Sequence, residues 1–401
     1  MSRRLTASVL LGHYLSAFTA LGAPLFLPRI LADLGSAAPT WSIGALYVLP
    51  TLCTALAAPL WGRLADRHGC RLSLLRAHAG LAAGFLLAGF SPNLAVFILA
   101  LIVQGTFGGA MAASNAYLAS QLDGEGLSRA LNLTQYSARL AMLSGPVLVG
   151  LLAGAGLGIE MYRYLVWLPL AAFLLVLPLP ADAPRAPVRS ADGKPEAGEL
   201  PADLLRLLAV QFLFSFAMVV TFPYFVPYGE ALGIANDALI GLLYSLPHLV
   251  YLLALPWVQR RSGPLLPAGL ALLALGNLLQ FLRLPAELLF ALRLLAGLGM
   301  LLAFVGLHRC LAARRRAGGA GRLFGWFDAS GKWAGTAAGL VAGLACQHYG
   351  IAMPFLIACL AALAALAVAS PLGSVDVLAQ TATEARLAQN KERGEKFGHS
   401  K

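Results

Sequence analysis

Four ionisable side chains fall inside stretches that are otherwise almost wholly apolar: Arg139, Arg293, Asp328 and Lys332. A charge is costly to hold in such a stretch and by default marks function. Arg139 and Arg293 each offer a planar fork of donors suited to a carboxylate. Asp328 and Lys332 are four residues apart and share one face of a helix; Gln135 and Arg139 repeat that spacing. Three bases against one acid suit an anionic or polar ligand, with Asp328 as the proton carrier coupled to Lys332. His13, His248 and His308 are further proton candidates, since a free imidazole titrates near neutrality. Tyr14, Gln211 and Tyr224 are positioned to line the same cleft. Each has a plainer reading beside it. Asp328 and Lys332 form a structural ion pair, Arg139 snorkels to headgroups, and the histidines and aromatic residues pack.

The elements that must hold these residues are long and apolar. The chain has 401 residues, 59% hydrophobic and 12% charged, with a mean hydropathy of +0.75. A soluble domain is about 25% charged, so the solvent implied here is lipid, in which a spanning helix needs about 20 apolar residues. Twelve such runs stand near 5–31, 41–61, 72–90, 94–119, 132–156, 162–180, 204–230, 238–258, 264–282, 287–310, 323–346 and 351–372. The first is long and interrupted by Pro, with no small-residue cleavage pattern after it, and reads as a retained helix rather than a signal peptide.

The net charge of +11 does not point to nucleic acid. With Met1 placed in the cytoplasm, 23 Lys and Arg fall on inward segments or in the tail and three (Arg29, Arg163 and Arg283) on outward ends. That asymmetry puts both termini inside and leaves the excess facing anionic lipid headgroups. The five cysteines show no C-x-x-C spacing, so neither a disulfide framework nor a zinc site is supported. Gly325 to Lys332 (GWFDASGK) imitates a phosphate-binding loop, but its glycines are one residue too far apart and Trp333 stands where Ser or Thr is needed. No catalytic constellation, metal site or cofactor is expected.

The chain repeats itself. IGALYVLP at 43–50 returns as IGLLYSLP at 240–247, and residues 42–61 share ten identities in twenty with 239–258. Gly44 aligns with Gly241, Tyr47 with Tyr244 and Pro50 with Pro247. The fifth run matches the eleventh, with Arg139 over Lys332 and Gly150 over Gly343. Six spans per repeat is an even number, so the halves enter from the same side as parallel repeats, with a cleft between them at the midplane. The expected domains are 1–180 and 204–372, joined by a linker at 181–203 and followed by a tail at 373–401.

Gly62 to Arg71 reads GRLADRHGCR. It resembles the signature loop of the major facilitator superfamily, with Gly62, Leu64, Ala65, Asp66, Arg67, Gly69 and Arg71 matching. The resemblance implies twelve transmembrane helices in two six-helix bundles, alternating access, and a gating loop. In that loop Asp66 sits at a helix N-terminus, and Arg67 and Arg71 pair with Asp123 or Glu125 at the end of the fourth span. SGPVLVG at 144–150 is similar to the bend element of the antiporter branches through Gly145 and Pro146, with Gly150 one place late. The family's Arg before Gln104 and Gly105 is here Leu101, whereas the tenth span has Arg293 before Gly297. In carrying Gly331, Lys332 and Trp333 the chain is similar to siderophore exporters of the superfamily.

The combined expectation is a monomeric proton-coupled exporter of a small anionic or polar metabolite in a cytoplasmic membrane. An importer of a ferric siderophore or organic anion, and a non-transporting sensor or scaffold on the same fold, remain open.

Overall fold

The computed structural model describes residues 2–35, 38–181, 202–313 and 320–369, and shows helices and no strand among them. Twelve helical segments follow one another among the described residues: α1 (Arg4–Asp33), α2 (Trp41–His68), α3 (Cys70–Gly89), α4 (Leu94–Gln121), α5 (Gly124–Gly154), α6 (Met161–Val176), α7 (Ala202–Val219), α8 (Asp237–Gln259), α9 (Leu265–Phe281), α10 (Ala286–Ala313), α11 (Ala320–Tyr349) and α12 (Met353–Ala369), of which α1–α5, α7, α8 and α10 are long and apolar enough to cross a membrane. A short helix, Phe225–Ala231, prolongs α7. The proposed linker and tail fall almost wholly outside the described residues.

Where the chain leaves a span its own side chains fix the turn. The Asn93 side chain accepts from Val96 N–H at 3.1 Å and that of Asn236 from Leu239 N–H at 3.0 Å, capping α4 and α8. Two spans run further than their apolar runs. Helix α2 continues to His68 and α5 begins at Gly124, because Leu, Ala and Arg favour helix after the hydrophobic pattern stops. The stretch expected as a loop, Gly62 to Arg71, is therefore mostly helix. Gly69 alone separates α2 from α3, at φ 94°, a conformation that Gly adopts at little cost.

The six spans before residue 182 form one bundle and the six after 201 the other, with α5 packed on α8 and α2 on α11 across the divide. We call the end that carries Ser2 the near end and the opposite one the far end. At the far end both halves share one apolar cluster: Phe26, Leu31 and Tyr162 sit in it together with Phe225, Tyr244 and Phe355. Toward the near end the clusters separate. One is built from the first half alone, around Leu74, Tyr117 and Val176. The other has its buried members in the second half alone, around Leu207, Leu301 and Leu311. The halves are thus joined at the far end and divided at the near end.

Candidate functional site

Beneath the far-end junction lies a cavity of about 240 Å³. Its wall is mostly the first half: Ser16 and Leu21 of α1, Leu46, Tyr47, Pro50 and Thr51 of α2, Leu81 of α3, and Leu101 and Gln104 of α4. The second half contributes Lys332, among the described residues the one Lys, Arg, Asp or Glu on the wall. The Lys332 ammonium is 2.7 Å from Asp328 Oδ2, and both side chains are about half exposed or more. The lining is therefore apolar with scattered hydroxyl and amide groups, which suits an amphipathic molecule.

The far end above it is tied by charge. Arg29 Nε and Nη2 donate to Asp237 Oδ2 and Oδ1 at 3.1 and 2.8 Å, and Nη1 lies 2.6 Å from Glu230 Oε1. Arg29 belongs to the first half and both acids to the second. Asp237 is buried, and a bidentate fork is the geometry that best repays the cost of desolvating it. Tyr224 stitches the same region: its hydroxyl donates to Thr40 C=O at 2.7 Å and accepts from Gly44 N–H at 3.1 Å. Fully buried, it fastens α7 to α2 and does not line the cleft.

Halfway along α5, Arg139 crosses into the second half. Its guanidinium lies 4.4 Å from the Tyr251 ring centre and 5.4 Å from that of Phe304, and Nη1 is 3.2 Å from His248 Nδ1. A guanidinium over an aromatic face is attractive, and more so when desolvated. Arg139 is thus held by the opposite bundle and is not on the wall of the 240 Å³ cavity.

Arg293 has a different employment. It is buried in α10, with Nε donating to Leu243 C=O at 3.0 Å and Nη2 to Tyr244 C=O at 2.9 Å, and its guanidinium stands 4.6 Å from the Phe225 ring centre. Pro247 has no N–H for the carbonyl four residues back, which is Leu243. Arg293 supplies the missing donor. Arg76 does similar work where α4 breaks at Gly108 and Gly109: its Nη1 donates to Phe107 and Gly108 C=O, both at 2.8 Å.

A family model for the Major Facilitator Superfamily matches residues 9–266. The chain belongs to that superfamily, whose members are transporters. It is 36% identical over 133 residues to the multidrug resistance protein MdtG of Salmonella paratyphi C, a stretch covering 32% of this chain and 33% of that one. To MdtG of Proteus mirabilis it is 33% identical over 132 residues, again covering 32% and 33%. The matches thus span about a third of these curated relatives. Among solved structures, the human organic anion transporter MFSD10 (TETRAN) superposes with a TM-score of 0.66 at 19% identity, over 92% of this chain and 99% of that one. A POT family transporter in complex with 5-aminolevulinic acid superposes with 0.74 at 10% identity, over 92% and 96%. At such identities the likeness is one of fold.

The superfamily's signature stretch lies at the near end. Asp66 and Arg67 are exposed in the last turn of α2, so Asp66 does not gain from a helix N-terminus as expected. Gly62 is open, with nothing near an added Cβ, whereas Gly69 makes the turn. Arg71 donates to Leu177 C=O at the end of α6. Asp123 stands at the N-cap position of α5 and Glu125 in its first turn. Among the described residues no ion pair joins Arg67 or Arg71 to Asp123 or Glu125 in this state, in which the near ends are apart.

The bend element is a contact surface. Gly145 faces the main chain of Phe18 and Gly22 in α1, and Gly150 that of Asp237 and Ala238 in α8. Helix α5 passes through Pro146 without interruption. Of the remaining candidates, His13 is buried with Nδ1 3.0 Å from Ser137 Oγ, Tyr14 hydroxyl meets Ser144 Oγ at 2.8 Å, Gln211 lies against Gly331, and Gln135 is exposed. Sequence reasoning missed Arg29 and Asp237 as a pair. Their one sequence signal is an outward-end base in the first repeat, Arg29, at the level of two acids, Glu230 and Asp237, in the second.

Proposed function

We propose that the chain is a secondary exporter of small amphipathic, largely apolar molecules, working by alternating access with the near end in the cytoplasm. The observation that carries this reading is the cavity of about 240 Å³ held under a far end tied by Arg29, Asp237 and Glu230, while the near-end cores of the two halves are separate. Such a state admits substrate from one side; breaking the tie and closing the near end would release it on the other. The concentration of Lys and Arg on near-end segments supports the cytoplasmic placement, and the relatives named multidrug resistance proteins support export. The apolar wall favours varied ligands held by shape and a few polar groups. Lys332 on that wall supports a narrower reading, in which the substrate carries an acid as a siderophore does.

In this scheme a proton gradient drives the cycle, with Asp328 as the carrier and Lys332 as its counter-charge, and Asp66, Arg67 and Arg71 latch onto Asp123 or Glu125 when the near end closes. The test is transport by the purified protein in proteoliposomes with an imposed proton gradient, using an uncharged lipophilic dye and an organic acid of similar size. Gradient-dependent movement of the dye supports the broad reading, and movement of the acid alone the narrow one. Movement of neither overturns both.

A further inference from the structure

The two halves contain the same cavity, and one of them is already filled. In the second half a pocket of about 20 Å³ is lined by Pro247, His248, Leu273, Arg293 and Ala296. In the first half the repeat puts Pro50, Thr51, Leu81, Leu101 and Gln104 at those places, and all five line the cavity of about 240 Å³. The correspondence is independently visible in the packing. Gly297 lies against Pro247 as Gly105 lies against Pro50, and Gly276 faces Ala296 as Gly84 faces Gln104. The exchange that matters is Arg293 for Leu101. In the second half the guanidinium occupies the pocket and donates to the carbonyls of Leu243 and Tyr244. The equivalent residues in the first half, Leu46 and Tyr47, both line the open cavity, and Pro50 has no N–H to give the Leu46 carbonyl. Leu101 has no donor to offer either.

We infer that the first-half cavity binds a planar group with two N–H donors, an amide, urea, amidine or guanidine, on the carbonyls of Leu46 and Tyr47, in the place that Arg293 holds in the other half. A second observation points the same way. The amide nitrogen of Gln104, whose side chain is nine-tenths buried on that wall, is enclosed and without a partner, so a turn of the Gln104 side chain toward the cavity would give the carbonyl oxygen of an amide or urea a donor. The cationic members of the class are not excluded by lack of a carboxylate, since Arg293 is buried on carbonyls and an aromatic face alone. The inference rests on this cavity being the substrate site, and binding is measured rather than transport so that the two readings fail separately.

The probes are benzamide and N,N-dimethylbenzamide, which share ring and carbonyl and differ in the N–H donors. Affinities for the full chain in detergent are read by ligand-observed NMR. Two hydrogen bonds, one of them to the Leu46 carbonyl that Pro50 leaves without a main-chain donor, should make benzamide bind roughly tenfold tighter or more, against the hydrophobic advantage of the methyl groups. Leu101→Arg copies the second half and should abolish that preference, while Leu101→Met should keep it. Equal or tighter binding of N,N-dimethylbenzamide to the unaltered chain overturns the proposal, as does absence of benzamide binding. So does an unchanged preference in a Leu101→Arg protein that elutes and melts as a folded one. The matched pair on the unaltered chain decides the matter if that variant does not fold.

Discussion

Gly44 of α2 and Gly339 of α11 touch main chain to main chain: a Cβ on Gly339 would lie 2.9 Å from the Gly44 carbonyl oxygen, and one on Gly44 would overlap the Gly339 carbonyl. The repeat carries this contact onto the other side of the molecule. Gly241, the counterpart of Gly44, meets the carbonyl of Pro146, the counterpart of Gly339. Next to them Gly343 meets Trp41, and Gly150 meets Asp237 and Ala238. The two crossings, α2 on α11 and α5 on α8, are one contact used twice. In lipid, close packing of small residues replaces the hydrophobic drive between helices.

A side chain at either crossing should wedge the far end open. Gly241→Leu is expected to cost the far-closed state about 1–3 kcal/mol by overpacking. Cysteine labelling from the far side should rise, and an unchanged labelling rate would show that the crossing is not the seal.

The acids facing Arg29 should be unequal. Asp237 is buried whereas Glu230 is 37% exposed. Asp237→Asn breaks a bidentate, desolvated bond and should weaken the far-end closure by about 1–3 kcal/mol. Glu230→Gln should change it by about 0–1 kcal/mol, as exposed pairs do. Far-end accessibility ranks the two, and equal effects would refute this account of the lock.

Arg293 should prove structural. Arg293→Leu takes the side-chain donor from both buried carbonyls and leaves that of Leu243, which Pro247 gives no N–H, unsatisfied at about 1–3 kcal/mol; Arg293→Lys should rescue little because a single ammonium cannot reproduce the fork. Pro247→Ala, which restores an N–H, should recover part of the loss in the Arg293→Leu background. Melting temperatures of the four proteins close the cycle; strict additivity would separate Arg293 from Pro247.

Arg139 joins the halves through Tyr251, Phe304 and His248. Arg139→Ala should slow transport severalfold more than Tyr251→Phe, which keeps the aromatic face worth about 0.5–2 kcal/mol to a cation. If the two variants transport alike, the ring contact is incidental.

Asp328→Asn should flatten the pH dependence of transport if Asp328 carries the coupled proton. A transport profile that keeps its slope in the variant assigns the proton elsewhere, with buried His13 the next to be tested.

Much of the architecture was readable from residue order. The lipid-length runs, the duplication and the signature stretch each survive translation into helices, because they depend on composition and local spacing. The roles of individual charges did not. Arg139, Arg293 and Lys332 look alike on paper, an isolated base in an apolar stretch. In the fold one reaches across the interface, one caps a proline-freed carbonyl and one lines the cavity. Tyr224 seemed equally suited to the cleft and instead ties α7 to α2.

The amino-acid order by itself settled that the chain spans lipid twelve times in two like halves, because apolar length and repetition are properties of each segment taken alone. Only tertiary structure decided which groups meet. Arg29 and Asp237, or Arg293 and the carbonyl of Leu243, are separated by many residues and by several helix turns. Their encounter depends on how each helix is rotated against its neighbours. That rotation is set by close-packed glycines at the crossings, and no window of sequence contains both sides of such a contact.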